Sequence, residues 1–206
     1  MAKRRNILNR KARNECDVTC KCLVFNHVSL DGYFTDGKGD MSFAHNTAPD
    51  PEWDAFVEGN AGGECTLVFG RVTYELMAAF WPTAMAAASM PAIAERMNKL
   101  AKVVFSRTLE EATWQNTTLI KGDPGKAIRQ LKAQPGKGLV ILGSGSLVAQ
   151  LAPLELIDEY QIVVNPVVLG RGRTLFEGVR EKIPLQLTKT REFKNGNVFL
   201  TYEAKH

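Results

Sequence analysis

The chain has 206 residues, of which 45% are hydrophobic and 23% charged, a composition typical of one globular domain with its own core. No apolar run reaches the length of a membrane span, so the sequence predicts no contact with a membrane. The formal net charge of +4 comes from residues 1–13, which hold six of the 26 basic residues and no acidic one. The remainder, with 20 basic and 22 acidic residues, excludes an overall positive field for nucleic acid.

Residues 1–19 are interpreted as a disordered basic leader, and residues 20–206 as one domain. A nucleic-acid-binding tail and an organelle-targeting peptide are the alternatives for this arm. The four cysteines form no paired C-x-x-C motifs and stand at no metal-ligand spacing from a histidine. This pattern predicts free thiols, no metal site and a cytoplasmic protein.

The first predicted strand runs from Cys22 to Val28 and leads into the segment Ser29-Leu30-Asp31-Gly32-Tyr33-Phe34. Ligands of open α/β sheets bind beyond the carboxyl ends of the strands, which makes Asp31 a candidate functional carboxylate with two aromatic residues beside it. The alternative is that Asp31 only shapes the turn. A polar loop of the length of a lid follows through His45, and a short helix starts at Pro51.

A second buried strand is predicted over residues 66–70, followed at once by a helix. The face of this helix that we expect to be buried holds Val72, Leu76 and Phe80. Arg71 and Thr73 stand in the first turn, where a cation opposes the helix dipole unless an anion is close by. Arg71 is therefore a candidate phosphate ligand, with an exposed arginine that binds nothing as the alternative.

A third strand over residues 102–105 ends in Ser106-Arg107-Thr108. Two hydroxyls beside an arginine at the carboxyl end of a strand suit the 2′-phosphate that distinguishes NADP from NAD. A helix from Met90 to Leu100, with Pro91 in its first turn, is predicted to precede this strand.

After a short strand over residues 117–120 and a helix from Pro124 through Leu131, the apolar run 139–142 predicts a strand buried on both faces. It ends in Gly143-Ser144-Gly145-Ser146, and a helix with Leu147 as its first apolar residue follows. Glycines let the backbone approach a ligand, and the free N–H groups of a new helix favour a phosphate. The alternative is a tight connection between strand and helix that binds no ligand.

The last third of the chain predicts three more strands. Residues 156–168 form one long strand pattern in which Pro166 indicates a bend or a sheet edge, and residues 184–193 and 198–203 form a hairpin through Asn195-Gly196. The loop over residues 169–176 carries Arg171 and Arg173, which either meet an anionic substrate or lie in solvent. Four strand–helix units and a terminal hairpin predict a mostly parallel sheet with antiparallel strands at its end.

Three strand ends, at Gly70, Ser106 and Gly143, thus deliver phosphate-suited groups to one edge of one sheet, which favours a dinucleotide ligand. The sequence has no Gly-x-Ser-x-Gly elbow, no Walker loop and no zinc deaminase signature. Hydride transfer needs little side-chain machinery because the nicotinamide carries the reaction. The pattern therefore predicts a nicotinamide-dependent oxidoreductase of a small molecule.

Five of these segments occur in the order seen in one protein family. They are Ser29-Leu30-Asp31-Gly32, Phe69-Gly70-Arg71-Val72-Thr73-Tyr74-Glu75, Val104-Phe105-Ser106-Arg107-Thr108, Gly143-Ser144-Gly145-Ser146-Leu147 and Leu169-Gly170-Arg171-Gly172-Arg173-Thr174-Leu175-Phe176. From about residue 22 to 203 the chain resembles a stand-alone relative of the C-terminal reductase domain of the riboflavin-biosynthesis deaminase-reductase. The resemblance implies the dihydrofolate reductase-like α/β fold, with three layers, a mostly parallel central sheet and a C-terminal antiparallel hairpin.

The same resemblance implies a site. The residues that it assigns to NADPH are Gly70, Arg71, Thr73, Ser106, Arg107, Thr108, Gly143, Ser144, Gly145, Ser146 and Leu147. It makes Asp31 the substrate anchor or proton relay, and the residues expected at the substrate are Ser29, Tyr33, Phe34, Arg171 and Phe176. It also implies a homodimer.

The activity implied is an NADPH-dependent reduction of a pyrimidine- or pterin-like substrate, at family level 5-amino-6-(5-phosphoribosylamino)uracil reductase of riboflavin biosynthesis. The sequence contains no zinc deaminase signature, in which it differs from the bifunctional enzyme. The alternative is a non-catalytic NADP-binding or dimeric interaction protein of the same fold. Nucleic-acid binding through the basic arm is a third hypothesis, which the balanced charge of the remainder does not favour.

Overall fold

The structure, a computed structural model, describes residues 20–45, 48–60 and 64–205. The predicted basic leader lies outside the described residues. Within them the chain alternates strands and helices, as expected from the four predicted strand–helix units. The helices are α1 (Pro51–Asn60), α2 (Arg71–Phe80), α3 (Ala84–Ser89), α4 (Pro91–Lys99), α5 (Pro124–Lys132) and α6 (Gly145–Leu151).

The strands form one large sheet and one small ribbon. They are β1 (Cys22–Ser29), β2 (Tyr33–Asp36), β3 (Thr66–Gly70), β4 (Ala101–Phe105), β5 (Thr117–Ile120), β6 (Leu139–Leu142), β7 (Glu159–Asn165), β8 (Gly172–Thr174), β9 (Leu185–Glu192) and β10 (Val198–Ala204). The large sheet has the order β5-β4-β3-β6-β1-β7-β10-β9, and β2 pairs with β8 in a separate antiparallel ribbon.

The first six strands of the large sheet are parallel, and β10 and β9 complete it as an antiparallel hairpin. This confirms the predicted mostly parallel sheet with antiparallel strands at its end. Because β3, β4 and β6 run in the same direction, the residues that follow them meet at one edge of the sheet.

Helices cover both faces of the large sheet, which gives three layers. On one face, strand residues such as Val24 and Ile141 pack against α5 and α6 through Ile128 and Val148. The other face packs in two clusters. In the first, β3 and β4 contact α2 and α4. In the second, Phe25 and the hairpin contact α1 around Trp53. The predicted three-layer arrangement is therefore present.

A buried lysine fastens β4, the strand that carries Ser106-Arg107-Thr108, to the end of α4. The Lys102 ammonium donates hydrogen bonds to the carbonyls of Met97 (2.8 Å) and Leu100 (2.6 Å) and lies 4.5 Å from the centre of the Trp114 ring. Burial lowers the pKa of Lys102 to about 8, which leaves it protonated at neutral pH. A cation at the carboxyl end of a helix is favoured by the dipole.

Two sequence predictions about elements are wrong. The strand predicted over residues 156–168 is only β7, which ends before Pro166 and lies inside the sheet between β1 and β10 rather than at an edge. On α2, Val72 and Leu76 are exposed, and Tyr74 and Met77 pack against the sheet instead. The ribbon β2–β8 and helix α3 lie in segments where the sequence predicted no regular element.

Candidate functional site

A cleft of about 470 Å³ opens at the carboxyl ends of β3, β4 and β6. The residues that follow all three strands line it, together with the ribbon β2–β8. The lining residues are Phe34, Thr35, Gly39, Met41, Gly70, Arg71, Val72, Thr73, Leu76, Phe105, Ser106, Arg107, Thr108, Gly122, Pro124, Ser144, Gly145, Ser146, Leu147, Gln150 and Arg173. The structure thus brings together the three predicted phosphate-suited segments, with Gly143 just outside the lining.

The floor of the cleft is fixed by hydrogen bonds between the starts of α2 and α6. The Gly70 amide donates to the Ser144 hydroxyl (2.7 Å), and that hydroxyl donates to the Thr73 hydroxyl (3.1 Å). The Ser144 amide donates to the same Thr73 oxygen (3.2 Å), in a backbone with positive φ at both Gly143 and Ser144. Thr73 and Ser144 therefore hold the two turns together.

The ring of Phe34 leaves no room for a side chain at Gly145. A Cβ atom at this position would lie 2.7 Å from two carbons of the buried Phe34 ring. From the sequence, this glycine is expected to let a ligand approach the backbone. The structure shows that it admits Phe34, whereas Ser146, one residue later, is exposed on the cleft.

The start of α2 presents unsatisfied backbone donors to the cleft. No side chain of the described residues caps this helix, whose N-cap residue is Gly70 and whose first three residues line the cleft. The first amides of a helix have no partner within the helix, so they are available to an anion. The Arg71 guanidinium itself lies 3.1 Å from the Glu75 carboxylate, so its charge is already opposed.

The segment after β4 leaves one arginine without an opposing charge. The Ser106 hydroxyl accepts hydrogen bonds from the amides of Thr108 (3.2 Å) and Leu109 (2.9 Å) and so shapes the turn. Arg107 is exposed and forms no ion pair with any residue in the described ranges. Of the three arginines on the cleft, Arg71 and Arg173 have carboxylate partners, and Arg107 has none in this part of the chain.

The ribbon β2–β8 also lines the cleft. It contributes Phe34, Thr35 and Arg173, whose guanidinium lies 5.8 Å from the centre of the Phe34 ring and 3.4 Å from the Glu177 carboxylate. The Thr35 hydroxyl is buried and has no hydrogen-bond partner among the described residues. A Cβ atom at Gly172 would overlap the carbonyl oxygen of Thr35, so the close pairing of the ribbon requires a glycine there.

Asp31 lies outside the cleft lining and serves the backbone. Its carboxylate accepts hydrogen bonds from the amides of Leu169 (3.1 Å) and Gly170 (2.7 Å). A hydrogen bond with the Ser29 side chain, together with those two amides, lowers the pKa of Asp31. An ionised carboxylate held in this way fastens the loop after β7 to the end of β1, which matches the alternative in which Asp31 shapes the local structure.

Of the predicted substrate group, the structure brings only Phe34 into the cleft. The Ser29 hydroxyl is buried and accepts a hydrogen bond from the Tyr33 amide (2.9 Å). Arg171 packs beside Gly37, and the Phe176 ring lies 5.8 Å from the ring of Tyr160.

Several cleft residues were not predicted from the sequence as site residues, among them Thr35, Met41 and Gln150, and also Val72 and Leu76, which were expected to be buried. No sequence signal identifies Thr35 and Met41, because their segment reads as a polar loop. Gln150 could have been found from its position one helical turn after Ser146 on the predicted helix.

Two kinds of feature are absent from the described residues: a membrane-spanning helix and a metal-binding cluster. No helix in residues 20–45, 48–60 and 64–205 is long and apolar enough to cross a membrane. Within the same ranges, histidine, cysteine and acidic side chains form no group of three that could hold a metal ion.

Comparison with known proteins agrees with this architecture. The layers and topology are those of a dihydrofolate reductase-like α/β fold. A protein from Shewanella sp. PV-4 assigned by name to riboflavin biosynthesis has a TM-score of 0.68 and 24% identity, over 90% of this chain and 99% of that one. The deaminase/5-amino-6-(5-phosphoribosylamino)uracil reductase of Thermotoga maritima has a TM-score of 0.62 and 12% identity, over 91% of this chain and 57% of that one.

The family follows from the sequence match. The model of the RibD C-terminal domain matches residues 21–199, so the chain belongs to that family. The uncharacterized protein YyaP of Bacillus subtilis (strain 168) is 29% identical over 175 residues, which cover 85% of this chain and 90% of YyaP. The predicted family and fold are thereby confirmed.

Proposed function

We propose that this protein is an NADPH-dependent reductase of a small pyrimidine- or pterin-like heterocycle. One observation carries the proposal: a single cleft joins the uncapped start of α2 to Arg107 at the carboxyl ends of parallel strands. In a chain of the RibD C-terminal domain family, this combination suits a phosphate-bearing nicotinamide dinucleotide.

The residues present fit that cofactor. The amides of Arg71 to Thr73 and the Ser146 side chain would hold the two bridging phosphates, and Arg107 with Thr108 would hold the 2′-phosphate. Gly70, Thr73, Gly143 and Ser144 would act by fixing the backbone of these turns. When bound, NADPH would supply the hydride, and Phe34 and Thr35 would be among the residues that surround it in the cleft.

For the substrate we propose the class named for the Thermotoga maritima relative, a 5-amino-6-ribosylaminouracil phosphate. The test is NADPH oxidation, followed by absorbance, in the presence of that compound and, separately, dihydrofolate. Turnover with the uracil compound supports the riboflavin-type reaction, and turnover only with dihydrofolate replaces it with pterin reduction. A homodimer and a cytoplasmic location remain predictions.

The second candidate is an NADP-binding protein without catalysis. The lack of a proton-donating side chain among the described residues that line the cleft favours it. Among the described residues, those that line the cleft include no aspartate, glutamate, histidine, lysine, tyrosine or cysteine, so none of these side chains is suited to donate a proton at neutral pH. In the reductase, that proton would come from water. NADPH binding without turnover of either substrate would favour the non-catalytic protein.

A further inference from the structure

A separate cavity of about 320 Å³ lies at the edge of the large sheet opposite the cleft. It is lined by residues at the start of β7, just before β9 and at the end of β10. These chain positions meet at one edge because β10 runs antiparallel to β7. The cavity shares no lining residue with the cleft, so the proposed reductase site does not account for it.

A buried tyrosine lines this cavity without a hydrogen-bond partner for its hydroxyl. Tyr160 on β7 is 1% exposed, and the centre of its ring lies 5.8 Å from that of Phe176. The Tyr160 hydroxyl forms no hydrogen bond with the residues that the structure describes. Burial raises the pKa of Tyr160 to about 12, so the hydroxyl keeps its proton at neutral pH. Because a buried tyrosine hydroxyl usually has a hydrogen-bond partner, this one is a donor available to a ligand.

The rest of the lining combines aliphatic surface with charged side chains. Ile157, Ile183 and Ala204 supply apolar surface. The charged lining residues, all of them exposed, are Arg180, Lys182, Lys205, Glu155 and Glu181. None of the three cations forms an ion pair with a residue of the described ranges, and the net charge of the five is +1. A phosphate monoester carries about two negative charges at neutral pH, so a carboxylate matches this charge better.

We propose that this cavity binds a small organic carboxylate with an apolar body. The carboxylate accepts a hydrogen bond from the Tyr160 hydroxyl, and the cations of the lining offset its charge. A hydrogen bond from a buried donor to a charged acceptor is stronger than an exposed ion pair, so Tyr160 contributes more than any one of the cations. The inference is independent of the proposed function, because the two sites share no residue.

The test measures binding of benzoate and 2-naphthoate by calorimetry and locates the bound probe from amide chemical shifts. The uncharged 2-naphthamide and the dianion 2-naphthyl phosphate are the comparison ligands. Tyr160→Phe removes the hydroxyl and keeps the ring. Tyr202→Phe is its matched control, because Tyr202 pairs with Tyr160 across the sheet and does not line the cavity. Lys182→Gln is compared with Lys189→Gln, which changes an exposed lysine of β9 outside the lining.

We expect at least one of the two carboxylates to bind and to shift the amides of Gly178 and Ala204, with both comparison ligands weaker. Tyr160→Phe should weaken carboxylate binding about tenfold, and Lys182→Gln up to about fivefold. Both control variants should bind like wild type.

Binding of neither carboxylate, equal binding of 2-naphthamide, or unchanged binding in Tyr160→Phe would overturn the inference. Tighter binding of 2-naphthyl phosphate would overturn the choice of a carboxylate. Displacement of the probe by NADPH would locate the probe in the cleft and would also overturn the inference. A protein that binds the carboxylate at this cavity but does not bind NADPH supports the inference and refutes the proposed function alone.

Discussion

Position 145, at the start of α6, requires a glycine because the Phe34 ring occupies the space that a Cβ atom would need. In Gly145→Ala the new Cβ would lie 2.7 Å from two ring carbons, so the ring must move by about 0.7 Å to reach an ordinary contact of about 3.4 Å. Phe34 is 6% exposed and packs in the core, which leaves the ring little room. Overpacking of this kind costs about 1–3 kcal/mol, and we expect the free energy of unfolding to fall by that amount.

Denaturant unfolding of Gly145→Ala in the wild-type and the Phe34→Leu backgrounds measures this directly. The smaller side chain should remove most of the cost of the alanine, which a double-mutant cycle reports as coupling between the two positions. Gly59→Ala is the control, because nothing lies within 4 Å of a Cβ at Gly59 and alanine is a better helix former. A Gly145→Ala protein as stable as wild type, or a cost that does not change with Phe34→Leu, would refute the packing explanation.

Three further predictions address charge, polarity and pH. Arg107→Ala should weaken NADPH binding about tenfold to a hundredfold, because one charge-assisted contact is lost, and should leave NADH binding unchanged. Arg129→Ala, which removes an exposed arginine outside the cleft lining, is the control. Equal effects of Arg107→Ala on both nucleotides, or the same loss in Arg129→Ala, would contradict the role of Arg107 at the 2′-phosphate. Thr35→Val should raise the free energy of unfolding of the ligand-free protein by about 1 kcal/mol, since the buried Thr35 hydroxyl has no hydrogen-bond partner among the described residues. A variant less stable than wild type would show that this hydroxyl stabilises the fold. Burial lowers the pKa of His27 to about 4, below its usual 6.5, so protonation favours the unfolded chain. The stability that the protein gains from a neutral His27 is fully present above pH 6.5 and is lost as the pH falls toward about 4. The free energy of unfolding falls by up to about 3 kcal/mol over this range. Urea unfolding of wild type and His27→Asn at about pH 7.5 and about pH 4.5 should show a smaller loss in the variant, and equal losses would contradict this.

The parallel part of the sheet could be predicted because its strands are buried on both faces. Continuous apolar runs such as Leu139–Leu142 follow from that burial and stand out between glycines. The ribbon β2–β8 could not be predicted, because each strand has only three or four residues. Its partners are far apart in sequence, so that only the folded chain pairs Thr35 with Arg173.

The orientation of α2 shows the limit of helical periodicity. The helix has two apolar faces, one with Val72 and Leu76 and the other with Tyr74 and Met77. Spacing alone cannot decide which face meets the sheet, because the choice depends on how the helix leaves β3 at Gly70. The convergence of three strand ends could be predicted from strand direction. The structural roles of Thr73, Ser144 and Gly145 could not be predicted. Their hydrogen bonds and ring contact join residues that are 70 or more positions apart in the sequence.

We propose that the cleft binds a dinucleotide that carries a 2′-phosphate. Calorimetric titration of the wild-type protein with NADPH and, separately, with NADH tests it most directly. We expect NADPH to bind at a single site per chain, and NADH to bind at least about tenfold more weakly because it has no 2′-phosphate for Arg107 to contact. Equal affinity for the two nucleotides would contradict the assignment of Arg107, and binding of neither would contradict the reductase itself.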